Sequence, residues 1–281
     1  MSARIFRTLL WLPVFVFLSC ALNKQLCPAD YTVRFSDALE FADKADLAYQ
    51  SNDSVMASCE KKSCFVLDGA LTQARAVVEV DDSARIQWIA FRGTATVSDA
   101  QLDADYTQKP DSVLGIYLHS GFAAAANDLL PKILPLLKPG YKTNVSGHSL
   151  GGAIAVVTAL YLRKRGYIPE VYTFGQPKVT NLEGAAVEAD SLVLTRFVDD
   201  KDIVALMPPL DWKPGGELGS YAHFGREVHL QGEGYECLQR HYMEIDLDVW
   251  KTEFQKHAAM DHSLALYRAK IANLKAATAP K

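Results

Sequence analysis

A serine with a glycine two residues to either side stands at Gly147-His148-Ser149-Leu150-Gly151, and this spacing suits covalent chemistry. The reason is mechanical. A serine at the tip of a strand-to-helix turn is held in a strained backbone conformation. Side chains at the flanking positions would strike the adjoining strand and helix. Glycine removes the collision. The hydroxyl then projects into a cleft, and the N–H groups behind it open a helix, where negative charge is favoured. The flanks agree with such an elbow. Residues 141–145 form a short β-type run. Residues 153–165 are apolar around most of their circumference, end in basic residues and stop at Gly166, the pattern of a buried helix with a C-terminal glycine.

A serine hydroxyl is a poor nucleophile at neutral pH. It needs a base, the base needs an orienting acid, and the developing oxyanion needs donors. In the α/β-hydrolase order the acid and then the histidine follow the serine. The strand expected at 191–198 ends in three competing aspartates, Asp199, Asp200 and Asp202. Asp202 is preferred because Ile203 and Val204 anchor the loop beside it. The plain alternative for each is a solvated carboxylate. Histidines follow at 223, 229, 241, 257 and 262. His262, beside Asp261 at the start of an apolar-periodic stretch, is a plausible base, and His223 is its main rival. One oxyanion donor would be the N–H of Leu150. A second should come from an early strand-end turn, and Phe91-Arg92-Gly93-Thr94 offers Thr94 with both an N–H and a hydroxyl.

The elements that must position these groups follow from periodicity and punctuation. A helix is expected at 36–50, capped by Ser36 or Asp37. Strands at 74–80 and 85–91 form an antiparallel hairpin. A helix over 120–137 should kink or split at Pro131 and Pro135. Further strands are expected at 170–174, 191–198 and 225–230, with helices at 181–188 and 256–273 and a Pro/Gly-rich loop at 208–219. Helices alternating with strands from residue 120 onward imply an α/β fold with a mostly parallel sheet and helices on both faces.

A chain of 281 residues with 49% apolar and 22% charged residues and a net charge of −4 is an ordinary globular composition. It carries no basic run to suggest a nucleic-acid partner. The N-terminus, with Arg4 and Arg7 before the apolar stretch 9–18, reads as a secretory signal over residues 1–21. Cleavage after Ala21 is one reading. The other is a lipoprotein box at Leu18-Ser19-Cys20 that would anchor the chain to a membrane through Cys20. Residues 22–281 then form one domain with a short Ala/Lys tail, expected to be monomeric. Setting Cys20 aside leaves an even set, and an oxidising compartment suggests bridges Cys59–Cys64 and Cys27–Cys237, against the alternative of free buried thiols. No Cys-x-x-Cys or His-Glu-x-x-His occurs, so no metal or other cofactor is expected.

Taken together, several segments resemble the class 3, or fungal-type, lipase family of the α/β-hydrolase superfamily. They are residues 90–94, His119-Ser120-Gly121-Phe122, 145–152, Tyr172-Thr173-Phe174-Gly175-Gln176-Pro177, Asp202-Ile203-Val204 with Pro208-Pro209, and Asp261-His262. They occur in the family's order across residues 36–270. The resemblance implies Ser149 as nucleophile, Asp202 as acid, His262 as base, and Thr94 with Leu150 as oxyanion hole. It implies a serine carboxylester hydrolase of lipase type. It also implies a lid over the cleft in the segment after the oxyanion turn, which includes Ala95, Val97, Gln101 and Leu102. That segment, 95–106, holds three aspartates and neither tryptophan nor phenylalanine. With Gln101-Leu102-Asp103 and Tyr106-Thr107 it resembles the feruloyl esterase branch, which favours small esters. His119 is expected as a hydrogen-bonded core residue and His148 as packing. The prolines at 131 and 135 and the long loop 210–219 depart from the family pattern. Acyl transfer to an alcohol, or a catalytically dead binding module that keeps the fold, remain open as other uses of these residues.

Overall fold

Runs of Val, Ile and Phe pair into a nine-stranded sheet in a computed structural model that describes residues 25–59, 62–94, 106–208, 211–212, 218–219, 221–240 and 262–278. The expected signal segment with Cys20, and the lid residues Ala95, Val97, Gln101 and Leu102, lie outside these. Across the sheet the strands run Gln25–Leu26, Gly234–Arg240, Arg226–Gln231, Val193–Asp199, Pro169–Phe174, Lys142–His148, Ile86–Phe91, Arg75–Asp81 and Ser63–Asp68. The five from Arg226–Gln231 to Ile86–Phe91 are mutually parallel, and antiparallel strands complete both edges. The sheet is therefore mostly parallel at its centre, and the expected hairpin grows into a three-stranded meander.

Both faces of the sheet are covered because alternate residues of each strand are apolar on opposite sides. One face buries Ile89, Phe91, Val145 and Val171 under the helices Ser120–Ile133 and Leu150–Arg163. The other buries Trp88, Tyr172, Phe174 and Phe197 under the helices Phe35–Leu47 and Leu264–Thr278. The elbow helix Leu150–Arg163 is buried from Gly151 to Leu162, which is why its sequence lacks a polar face. A buried hydroxyl, Ser146 Oγ, donates to the Phe41 carbonyl at 2.7 Å and ties the first long helix to the elbow strand.

The first helix corrects one expectation. Neither Ser36 nor Asp37 caps it; Arg34 is the N-cap residue and makes no side-chain cap bond. Phe35 is buried and packs edge-on against Tyr235, which draws it into the helix, while Asp37 pairs with Arg34 at 2.7 Å. The expected helix over 120–137 splits. Pro131 is accommodated inside Ser120–Ile133, and Pro135 sits in a separate 3₁₀ turn, Leu134–Leu136. A second, four-stranded sheet of short strands, including Gln108–Asp111 and Ile116–His119, was not anticipated. Nor were the short helix Asn52–Ser58, capped by Ser51, and the strand Gly234–Arg240. Disulfides join Cys27 to Cys237 and Cys59 to Cys64. Among the described residues, no helix is long and apolar enough to cross a membrane.

Candidate active site

Four neighbouring parallel strands end on the same side of the sheet, and the loops that leave them carry the chemistry. Phe91 lies opposite Gly147, and His148 opposite Phe174, so the turn after Ile86–Phe91 emerges beside the elbow. Ser149 has φ of +58°, a left-handed conformation rare for a residue with a side chain. Its N–H is held by the Phe174 carbonyl at 2.9 Å. Flanking side chains are excluded: a Cβ on Gly147 would run into the Gly151 carbonyl, and one on Gly151 into that of Phe91. The strain at Ser149 is thus held in place by close backbone contacts on both sides.

Asp202 leaves the loop after Val193–Asp199 with its side chain buried. Its Oδ2 accepts from His262 Nδ1 at 2.7 Å and from Tyr267 Oη at 2.6 Å, and its Oδ1 accepts from Val204 N–H at 2.9 Å. Burial alone would raise its pKa. The His262 charge and the three donors outweigh burial and hold the carboxyl below its ordinary range. Tyr267 is pushed well above the usual phenol value, first by burial and then by the Asp202 charge, so it stays a donor. Gly175, with φ of +56°, supplies the floor. A Cβ there would lie 2.5 Å from Asp202 Oδ2 and 2.9 Å from His262 Nδ1. The Asp202–His262 pair rests on a bare α-carbon.

The competing residues are occupied elsewhere. Asp199 pairs with Lys270 at 2.5 Å, and Asp200 is half-exposed. His223 is buried with its Nε2 2.6 Å from the Ala205 carbonyl. Burial, then Arg196 and Lys178, drive its pKa well down. His229 lies beside Glu227 on the sheet, and His241 and His257 fall outside the described residues. Ser149 Oγ and His262 Nε2 are both buried without a hydrogen-bond partner among the described residues, so the serine–histidine bond itself is not made here. Thr94 Oγ1 is likewise buried without such a partner. Leu150 opens the elbow helix, where first-turn N–H groups have no partner within the helix. His119 caps Ser120–Ile133, its Nδ1 accepting from Gly121 N–H at 3.2 Å, and its ring stacks on Phe122.

Sequence reasoning missed two residues of this site. Tyr267 lies in the helix Leu264–Thr278 that follows His262, in a stretch read only for its apolar period. Tyr49 is 2.8 Å from His148 Nδ1 and belongs to the distant first helical region. No local pattern could have found it. Among the described residues there is no cluster able to hold a metal ion.

A family model described as lipase (class 3) matches residues 88–212, which include the turn at Gly93-Thr94, the turn at Ser149 and Asp202. Over 184 residues the chain is 35% identical to a secreted mono- and diacylglycerol lipase of Fusarium solani, covering 62% of this chain and 53% of that one. It is 33% identical over 179 residues to a lipase of Rhizomucor miehei, covering 58% and 47%. The chain therefore spans about half the length of these two curated relatives. The crystal structure of a lipase from Rhizopus microsporus var. chinensis superposes with a TM-score of 0.65 over 85% of this chain and 88% of the other. At 23% identity it speaks for the fold. Residues 88–212 thus match the class 3 lipase family model, and the chain has the fold of the α/β-hydrolases.

Proposed function

We propose that the protein is an exported serine hydrolase of carboxylic esters, of lipase type, acting on acylglycerols or related esters through an acyl-enzyme on Ser149. The observation that carries this reading is the buried Asp202–His262 pair at 2.7 Å, next to a serine in a strained turn. In the proposed reaction Ser149 Oγ attacks the ester carbonyl carbon and its proton passes to His262 Nε2. Asp202, which accepts from Nδ1, orients the ring and stabilises the imidazolium without taking the proton. The N–H groups of Leu150 and Thr94 and the Thr94 hydroxyl receive the oxyanion. Collapse breaks the ester C–O bond, and His262 returns the proton to the leaving alcohol. Water then attacks the acyl carbon and gives a proton to His262; collapse breaks the bond from the acyl carbon to Ser149 Oγ, His262 returns the proton to Oγ, and the acid leaves. The names of the relatives supply the acylglycerol class and the export.

The composition of segment 95–106 favours partly soluble esters within that class. An interface-seeking lid gains about 25 cal/mol per Å² of apolar area buried against lipid, and three aspartates with two large aliphatic residues offer little such area. The test is a p-nitrophenyl ester chain-length series with wild type and Ser149→Ala. Turnover abolished by the substitution supports the reading; unchanged turnover overturns it. With tributyrin, the rate should rise smoothly through the solubility limit. A jump when droplets form, with a preference for long chains, would sink the small-ester reading while leaving the hydrolase intact.

A further inference from the structure

Beside the nucleophile runs a line of hydrogen bonds that the proposed chemistry does not use. Gly93 N–H donates to Tyr49 Oη at 3.1 Å. Tyr49 Oη is 2.8 Å from His148 Nδ1. His148 Nε2 is 2.8 Å from the backbone carbonyl oxygen of His262. The polarity of this line is fixed by its ends. A carbonyl only accepts, so His148 Nε2 must carry a proton. The ring is buried, and burial first and the nearby His262 second push its pKa down to about 3, so at neutral pH the ring has one proton and Nδ1 is an acceptor. Tyr49 therefore donates to Nδ1 and has a lone pair free for Gly93 N–H. Burial likewise pushes the Tyr49 phenol up to about 12, so its proton stays.

The line joins three parts of the site that come from distant segments. At one end is the turn holding Thr94. In the middle is the residue just before Ser149. At the other end is the backbone of the base, whose ring lies 4.6 Å from that of His148. The turn is pressed onto the elbow as well. A Cβ on Gly93 would strike Tyr49 Oη and would lie 2.7 Å from the His148 carbonyl oxygen and 3.0 Å from Ser149 Cβ. Because Tyr49 occupies the Gly93 N–H, that donor is withdrawn, whereas the Thr94 hydroxyl next to it has no hydrogen-bond partner among the described residues.

We propose that Tyr49 and His148 are positioning residues: a hydrogen-bonded tie of fixed direction, from the Gly93 N–H to the His262 carbonyl, that locks the oxyanion turn and the base to the elbow carrying Ser149. The tie rests on the reading of Ser149 and His262 as nucleophile and base. Its effect belongs to the transition state, because an oxyanion donor displaced by about 1 Å can cost on the order of a hundredfold in rate while ground-state binding is little changed. The tie is neutral throughout and passes no proton in the reaction.

The test is Tyr49→Phe, which keeps the ring and removes only the hydroxyl. The kcat on a p-nitrophenyl ester should fall by about tenfold to a hundredfold, with KM within about twofold. Affinity for an alkylboronic acid, which mimics the tetrahedral state on Ser149, should fall in step with kcat. His148→Gln can keep a donor near the Nε2 position but loses the Nδ1 acceptor, so it should resemble Tyr49→Phe. The double variant should lose little more than the worse single, since one tie is being cut twice. An unchanged kcat in Tyr49→Phe, a loss carried by KM alone, or multiplying losses in the double variant would overturn the proposal. Should a variant fail to fold, ¹⁵N histidine NMR on the wild type decides. His148 protonated on Nε2 alone supports the tie, and a proton on Nδ1 overturns it. Ser149→Ala keeps the two questions apart. If it stays active, the hydrolase reading fails; if it is dead while Tyr49→Phe is fully active, only the tie fails.

Discussion

Asp202 illustrates what a single side chain must satisfy to work at this site. It is buried, yet three donors converge on it and keep it charged beside His262. Asp202→Asn would keep the shape and lose the charge. A triad with its acid neutralised drops about 10⁴-fold in kcat, and that is the outcome expected in a steady-state assay. Tyr267→Phe is milder. It removes one of three donors and leaves the Asp199 N–H, 2.9 Å from Tyr267 Oη, without that acceptor. A fall of about tenfold in kcat is expected, and a fully active variant would show that Tyr267 only packs. Thr94→Val tests the oxyanion side. Losing one donor there costs about 10²-fold in kcat with a smaller change in KM, and a change in KM alone would make Thr94 a substrate-binding residue instead. Legibility differed among these residues for a physical reason. Ser149 sits in a contiguous turn whose glycines have mechanical causes, so it was plain. Position alone merely prefers Asp202 over its neighbours, and the family resemblance selects it. Tyr267 was opaque because its body is apolar and only its tip is polar, so a hydrophobic count absorbs it.

At the scale of elements, strand ends do the positioning, and Gly175 is the tightest point. It closes Pro169–Phe174, donates its N–H to the Phe197 carbonyl at 3.0 Å and adopts a left-handed φ. In Gly175→Ala the added methyl meets the Asp202–His262 pair, and the backbone alone would cost about 1–2 kcal/mol. Both stability and kcat should fall, measured by urea unfolding and by turnover per folded molecule. Lost stability with full turnover per folded molecule would mean that the pair does not need that space. The long elements were legible because their patterns are strong, as in the all-apolar helix behind Ser149. The short ones were not. Gln108–Asp111 contains Pro110 and two charged residues, and exists because Ile116–His119 pairs with it. Asn52–Ser58 reads as a polar loop, and only the Ser51 cap and buried Val55 make it a helix.

At the scale of the whole molecule, two neutral buried histidines set how stability responds to acid. His148 and His223 both have depressed pKa values in the folded protein. An unfolded chain binds protons at these positions below about pH 6.5, while the folded one does not. Their contribution is therefore full above that pH and is lost as the pH falls. Each adds a slope of about 1.4 kcal/mol per pH unit in the affected range. Urea midpoints should drop between pH 6.5 and 4, and His148→Gln or His223→Gln should flatten the drop. An unaltered slope in both variants would contradict this. The bridges act on the unfolded chain. Cys27–Cys237 spans 210 residues and Cys59–Cys64 only 5, so losing the long bridge should lower the melting temperature more. Equal losses on replacing each pair by serine would argue against loop entropy as the cause. The long bridge lies where Gln25–Leu26 pairs with Gly234–Arg240. That pairing has a consequence in time. A chain is made from its N-terminus, so Gln25–Leu26 must wait, unpaired, until the strand joined to it by a bridge spanning 210 residues has been synthesised. During that interval the Cys27 thiolate is open to exchange with any disulfide it meets, displacing one of that disulfide's sulfurs as a thiolate.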